Sequence, residues 1–135
     1  MPKIESARIA VLDTHIWIWL SSGDPRGVPF ATFVGQPVLS DISVWEVAML
    51  ASKGRLTLKP DAQTWIEANL KDPIELEPLS PEICVASCNL QDFQGDPADR
   101  LIVATALVLG IPLITADRQI IAWAKNNPTL SLLKN

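Results

Sequence analysis

Short apolar runs alternate along this chain with longer segments whose apolar residues recur at helical spacing. A continuous apolar run is typical of a strand buried on both faces, as in a parallel sheet. Four strands are predicted, at residues 7–12, 37–40, 74–79 and 112–115, with a short fifth candidate at 129–132. Helices are predicted at residues 14–20, 43–51 and 61–70, from Ser80 onward, and at 97–109 and 117–125. This order predicts a single domain over residues 1–135, an α/β fold of three α/β/α layers around a mainly parallel sheet.

Local signals support several of these boundaries. Ser80-Pro81 and Asp96-Pro97 each place a capping side chain before a proline in the first helical turn, which is a strong helix start. Pro78 indicates that the strand at 74–79 lies near a sheet edge. Residues 23–27 are rich in glycine, proline and aspartate and are predicted to be a turn-rich linker.

Composition narrows the class of protein. With 135 residues, 48% of them hydrophobic, the chain suits one domain with one well-buried core. The longest apolar stretch, residues 101–116, is interrupted at 110–112, whereas a membrane span needs about 20 continuous apolar residues. The first residues lack the apolar core of a signal peptide, so we expect a cytoplasmic protein with no membrane association. Cys84 and Cys88, spaced i, i+4, are predicted to be small buried residues rather than metal ligands or a disulfide.

Five carboxylates stand where predicted strands end or predicted helices begin: Asp13, Glu46, Asp96, Asp99 and Asp117. In an alternating β/α chain the strand-to-helix junctions fall on one edge of the sheet, so acids remote in sequence converge there. Converged carboxylates repel one another, and their pKa values rise unless a cation neutralises them. Oxygen-only ligands suit Mg²⁺ or Mn²⁺. The net charge of −4 disfavours a broad basic RNA-binding surface but is compatible with phosphate binding through a metal.

Helix capping is the competing explanation for each acid taken singly. Asp96 and Asp99 have the spacing of a capping pair, and so do Ser43 and Glu46. Capping alone does not require acids at all of these junctions together, so the joint pattern favours a metal site. Asp96 is the exception: it precedes Pro97 at an N-cap and is expected to play a supporting role.

Four segments in order resemble the PIN domain, and most closely the VapC-type toxins of bacterial and archaeal toxin–antitoxin pairs. They are Val-Leu-Asp-Thr-His-Ile-Trp at 11–17, Ser-Val-Trp-Glu-Val at 43–47, Asp-Pro-Ala-Asp-Arg-Leu-Ile-Val-Ala at 96–104 and Leu-Ile-Thr-Ala-Asp at 113–117. The resemblance implies a ribonuclease dependent on Mg²⁺ or Mn²⁺. It also implies a homodimer and a cognate antitoxin that fills or distorts the acidic pocket.

Carried over by position, the resemblance gives an acidic catalytic and metal-binding quartet, with supporting polar residues and candidate RNA contacts. The quartet is Asp13, Glu46, Asp99 and Asp117; the supporting residues are Asp96, Thr115 and Thr14; the candidate RNA contacts are Arg100, Arg118 and His15. Asp13 and Asp99 are expected to be the principal ligands of a metal that activates water. Cleavage through the RNA 2′-hydroxyl is disfavoured, because the chain has one histidine and no tyrosine.

Two other classes of protein also place acids at strand ends. A Mg²⁺-dependent phosphatase of the haloacid-dehalogenase type needs an aspartate two places after Asp13, where His15 stands. A phosphoacceptor receiver needs a lysine near the end of a late strand, and residues 113–116 contain none. A non-catalytic PIN-like binding module remains the main alternative, although it need not retain all four acids.

Overall fold

The structure, a computed structural model, describes residues 8–133. Two predictions lie outside this range: the strand start at residue 7, and the lack of a signal peptide in the first residues. The strands are β1 (Arg8–Leu12), β2 (Gly35–Ser40), β3 (Glu75–Glu77) and β4 (Leu113–Ile114). The helices are α1 (Thr14–Ser22), α2 (Asp41–Ser52), α3 (Ala62–Ala68), α4 (Pro81–Cys88), α5 (Pro97–Leu109) and α6 (Arg118–Lys125). No helix in this range has the length and apolar character needed to cross a membrane.

The four strands form one parallel sheet in the order β3-β2-β1-β4. Val11 on the central strand pairs with Val38 on β2 and with Leu113 on β4. Strand β3 lies at the edge, as Pro78 indicated. The fifth predicted strand is reduced to one parallel bridge between Leu132 and Leu113. Because all strands run the same way, every strand-to-helix junction lies on one edge of the sheet.

Helices cover both faces of the sheet, which confirms the predicted three-layer α/β/α architecture. Successive strand residues point to opposite faces: Val11 packs in a cluster with residues of α5 and α6, whereas Leu12 packs with residues of α1, α2 and α3. Leu113 and Ile114 divide between the same two clusters. Both clusters consist of apolar side chains, and the polar residues Asp13, Ser40 and Thr115 stand at the strand ends on the sheet edge.

Two local predictions were wrong. Helix α2 begins at Asp41 with Ser40 as its N-cap, so Ser43 and Glu46 are not a capping pair. Cys84 and Cys88 are exposed, because the buried residues of α4 are Ile83 and Ser87. The segment expected to be only a linker also contains a 3₁₀ helix, Pro25–Phe30, which starts where the Asp24 carboxylate accepts a hydrogen bond from the Arg26 backbone.

Candidate active site

Asp13, the first residue after β1, lies buried at the carboxyl edge of the sheet with 2% of its surface exposed. Its Oδ1 accepts a hydrogen bond of 2.8 Å from the Thr14 backbone N–H, which caps α1. Its Oδ2 accepts a bond of 2.6 Å from the Thr115 hydroxyl. Burial raises the pKa of Asp13, while His15 and the hydrogen bonds from Thr115 and Thr14 oppose that rise. Asp13 is therefore a firmly held carboxylate at the centre of the edge.

Thr115 links two of the acids. Its hydroxyl donates to Asp13 and accepts a bond of 3.0 Å from the Asp117 backbone N–H. The Asp117 carboxylate in turn caps α6, with Oδ1 accepting from the backbone N–H groups of Gln119 and Ile120. The loop after β4 is thus fixed against the end of β1, which supports the sequence assignment of Thr115 as a supporting residue.

Glu46 reaches the same edge from the second turn of α2. Burial raises the pKa of Glu46, and the negative charges of Asp96 and Asp13 add to the effect, whereas a hydrogen bond from Thr14 lowers it. The Thr14 hydroxyl also shares a hydrogen bond of 2.8 Å with the buried hydroxyl of Ser43. Ser43, which the sequence suggested was a cap, is therefore a site residue that sequence reasoning missed; its place one helical turn before Glu46 is the signal that was available.

Asp99, in the first turn of α5, is repelled by all four of the other acids. Burial raises its pKa to about 7, together with repulsion from Asp96, Asp13, Asp117 and Glu46. Asp96 caps the helix by accepting a bond of 2.8 Å from the Asp99 backbone N–H. The acids predicted to converge therefore act on one another electrostatically, with Asp99 in their midst.

These acids form a negative cluster rather than a finished coordination sphere. Within residues 8–133, no three histidine, cysteine or acidic side chains are already placed to hold one ion. The donor chemistry nevertheless fits a hard divalent cation, because every donor is a carboxylate or hydroxyl oxygen. The raised pKa of Asp99 indicates excess negative charge that such a cation would neutralise.

The three candidate RNA contacts differ in their surroundings. The His15 ring accepts a 3.1 Å hydrogen bond at Nε2 from the Ala116 N–H, and its Nδ1 lies 3.5 Å from Asp13 Oδ2. His15 therefore bridges α1 and the loop after β4, a contact within the protein. Arg118 is exposed at the start of α6.

The sequence suggested that Arg100 contacts RNA, but in the structure its side chain binds backbone carbonyls of the same chain. Its guanidinium donates to three backbone carbonyls, those of Ser87, Leu90 and Phe93, at 2.9–3.3 Å. It also lies 5.7 Å from the centre of the Phe93 ring. These contacts hold the last turn of α4 and the loop that follows it, so the guanidinium is already engaged within the protein.

Comparison with known proteins places the chain among proteins with the same architecture. Residues 10–126 match the PIN domain family. Ribonuclease VapC22 of Mycobacterium tuberculosis is 31% identical over 116 residues, which cover 82% of this chain and 88% of that protein. A toxin-antitoxin complex from Klebsiella pneumoniae has a chain 25% identical, with a TM-score of 0.66 and coverage of 90% of this chain and 94% of that one. VapBC2 from Rickettsia felis, bound to a DNA fragment from its promoter, shares the fold at 20% identity, with a TM-score of 0.69 and coverage of 93% and 97%.

Proposed function

Because this chain belongs to the PIN domain family, we propose that it is a Mg²⁺- or Mn²⁺-dependent endoribonuclease and the toxin of a type II toxin–antitoxin pair. The observation that carries the proposal is the acidic cluster, in which burial and the charges of four neighbouring carboxylates raise the pKa of Asp99 to about 7. Similarity to Ribonuclease VapC22 supports ribonuclease activity. Similarity to a chain of a toxin-antitoxin complex supports an antitoxin partner.

Asp13 and Asp99 would be the principal metal ligands, with Glu46 and Asp117 completing the shell or orienting the attacking water. When bound, the metal supplies a water of lowered pKa and neutralises phosphate charge. The protein's own part is positional: Thr115 holds Asp13 and the loop that carries Asp117. Glu46, whose pKa is also raised, is suited to accept a proton from the attacking water. Hydrolysis by this route leaves a 5′-phosphate and a 3′-hydroxyl.

The cellular assignment adds three expectations. The protein acts in the cytoplasm, forms a homodimer and is neutralised by a cognate antitoxin. Expression of the chain alone is expected to arrest bacterial growth, and co-expression of the antitoxin is expected to restore it. Growth that continues at high levels of the wild-type protein would remove the toxin role while leaving the nuclease proposal intact.

Metal removal tests the enzymatic proposal directly. We expect purified protein to cut single-stranded RNA with Mg²⁺ or Mn²⁺ and to lose cleavage in EDTA, because no cation then offsets the carboxylates. The product ends should be 5′-phosphates. Cleavage that persists in EDTA, or that yields 2′,3′-cyclic phosphates, would contradict the metal mechanism. Metal-dependent stabilisation without any cleavage would favour the non-catalytic binding module.

Asp96 is expected to act through the helix rather than on the substrate. Asparagine also caps helices, so the Asp96→Asn variant should retain most activity and stability. Asp96→Ala should lose about 1 kcal/mol in the free energy of unfolding, because the Asp99 N–H loses its acceptor. Urea denaturation and initial cleavage rates check both expectations. Complete inactivity of Asp96→Asn, with the fold intact, would make Asp96 a metal ligand.

A further inference from the structure

A cavity of about 440 Å³ lies between the loop that joins α4 to α5 and one side of α6. Its volume is within the usual range of ligand pockets, about 300–1,000 Å³. Its lining is mainly carboxamide side chains around an indole: Gln91, Gln94, Gln119, Trp123, Asn126 and Asn127. We propose that this carboxamide cavity binds one unpaired nucleobase of the RNA, beside the phosphodiester that is cut. The proposal rests on the ribonuclease function proposed above and extends it to substrate recognition.

The carboxamide cavity adjoins the acidic cluster on two sides. Gln119 is two residues after Asp117, and its backbone N–H donates a bond of 2.8 Å to the Asp117 carboxylate. On the other side Gln94 is two residues before Asp96. A Cβ added to Gly95 would lie 2.8 Å from the Cβ of Asp99, so the loop runs directly against the first turn of α5. A nucleotide with its base in the cavity would therefore have its phosphate near the acids.

The chemistry of the lining suits a base better than a phosphate. Carboxamides both donate and accept hydrogen bonds, as the edges of bases require. The side chains of Gln94 and Gln119 make no hydrogen bonds to other residues within 8–133, so they are available to a ligand. The lining contains no cationic side chain and one acid, Asp92, so it offers no attraction to a phosphate. Trp123 adds a flat surface on which a base can stack.

The walls of the cavity are held in place before any ligand arrives. Arg100 fixes the carbonyls of Leu90 and Phe93 on the loop side. The Trp123 indole N–H donates a bond of 2.8 Å to the Gln91 carbonyl, which ties α6 to the loop. The Phe93 and Trp123 rings meet edge to face, with their centroids 5.3 Å apart. The backbone framework of the cavity is therefore set before a base binds, and mainly the glutamine side chains lose conformational freedom on binding.

Cleavage specificity provides the test. Single-stranded oligoribonucleotides randomised around the cut would be digested with Mg²⁺ by the wild type and by the double variant Gln94→Ala/Gln119→Ala. The matched control is Gln63→Ala, an exposed glutamine on α3. The wild type and the control should prefer particular bases at one fixed position beside the cut. The double variant should lose that preference and show a KM about tenfold higher, with kcat little changed.

The outcomes separate this proposal from the proposed function. If the wild type and the double variant cut with equal preference and equal KM, the cavity does not bind a base. If the double variant cuts normally but no longer binds the antitoxin, the cavity is a protein interface and the proposal is overturned. If the wild type cuts no RNA, the proposed function fails instead. In that case RNA binding is measured instead, by fluorescence anisotropy of a labelled oligoribonucleotide. The Asp99→Asn protein is compared with the same protein carrying the two glutamine changes. A tenfold loss of affinity supports base binding in the cavity, and equal affinity overturns it.

Discussion

The Asp99→Asn variant is expected to lose RNA cleavage by about 10³-fold, because a metal-bound nucleophile and phosphate neutralisation together supply several kcal/mol of transition-state stabilisation. The same change should stabilise the metal-free protein at pH 8. Asparagine fits the same space without a charge, so it removes a carboxylate that burial and the charges of Asp96, Asp13, Asp117 and Glu46 disfavour. Activity and stability should therefore change in opposite directions.

The sign of the pH dependence follows from the raised pKa. Asp99 ionises near pH 7 in the folded protein, whereas an unfolded aspartate ionises near its ordinary value of 3.8. The folded state is therefore penalised as pH rises from about 4 to 7, and the penalty is constant above pH 7. Since Asp99 is partly exposed, solvent screening limits the gain for Asp99→Asn at pH 8 to about 1–2 kcal/mol, with almost none at pH 4.

Urea denaturation in EDTA at pH 4 and pH 8, with cleavage assays in Mg²⁺, measures both effects. Asp72→Asn is the matched control, because it removes an exposed carboxylate outside the acidic cluster. It should leave cleavage and the pH dependence unchanged. A folded Asp99→Asn protein that cuts RNA at the wild-type rate would show that Asp99 is not a metal ligand. Equal stability of the variant and the wild type at pH 8 would show that the acids do not repel one another as described.

Among the variants described here, Arg100→Met is expected to lose the most stability, about 2–4 kcal/mol in the free energy of unfolding. It removes three charge-assisted hydrogen bonds and leaves the carbonyls of Ser87, Leu90 and Phe93 without their donor. Arg100→Lys should recover little of this, since an ammonium cannot span three acceptors in the geometry of a planar guanidinium.

The Arg118→Met variant is the comparison for Arg100→Met, because Arg118 is the candidate RNA contact that has no such structural role within residues 8–133. Arg118 is exposed, so its replacement should change stability by less than about 0.5 kcal/mol. If Arg118 contacts RNA phosphates, the KM of that variant should rise while its midpoint in urea stays the same. An Arg100→Met protein as stable as the wild type, but with a raised KM, would restore Arg100 to phosphate binding.

The sequence was most informative where the signals are local. Strand positions followed from short apolar runs, and the acids followed from their places at helix starts, because both depend on neighbours within a few residues. The layer order and the parallel sheet also followed, since alternating strands and helices allow few arrangements. The helix start at Asp41 was missed because Ser40 was assigned only to the preceding strand, whereas its side chain also caps the helix.

Long-range partners were beyond the reach of sequence patterns. Arg100 follows a predicted ligand, yet its acceptors are carbonyls 7 to 13 residues away, in the last turn of α4 and the loop after it. Backbone acceptors leave no mark on residue type. The contact of His15 with Ala116 spans 101 residues and is likewise a product of the fold. The carboxamide cavity was missed because its glutamines and asparagines come from two segments that read separately as ordinary surface.

Asp13 serves two purposes with one side chain, since it closes the first turn of α1 and also stands at the centre of the acidic cluster. A change to alanine at Asp13 would therefore remove the acceptor of the Thr14 N–H and of the Thr115 hydroxyl as well as one acid of the cluster. A change at Asp99 leaves these two hydrogen bonds in place, and under the toxin role proposed above it would give an inert protein that still occupies the antitoxin.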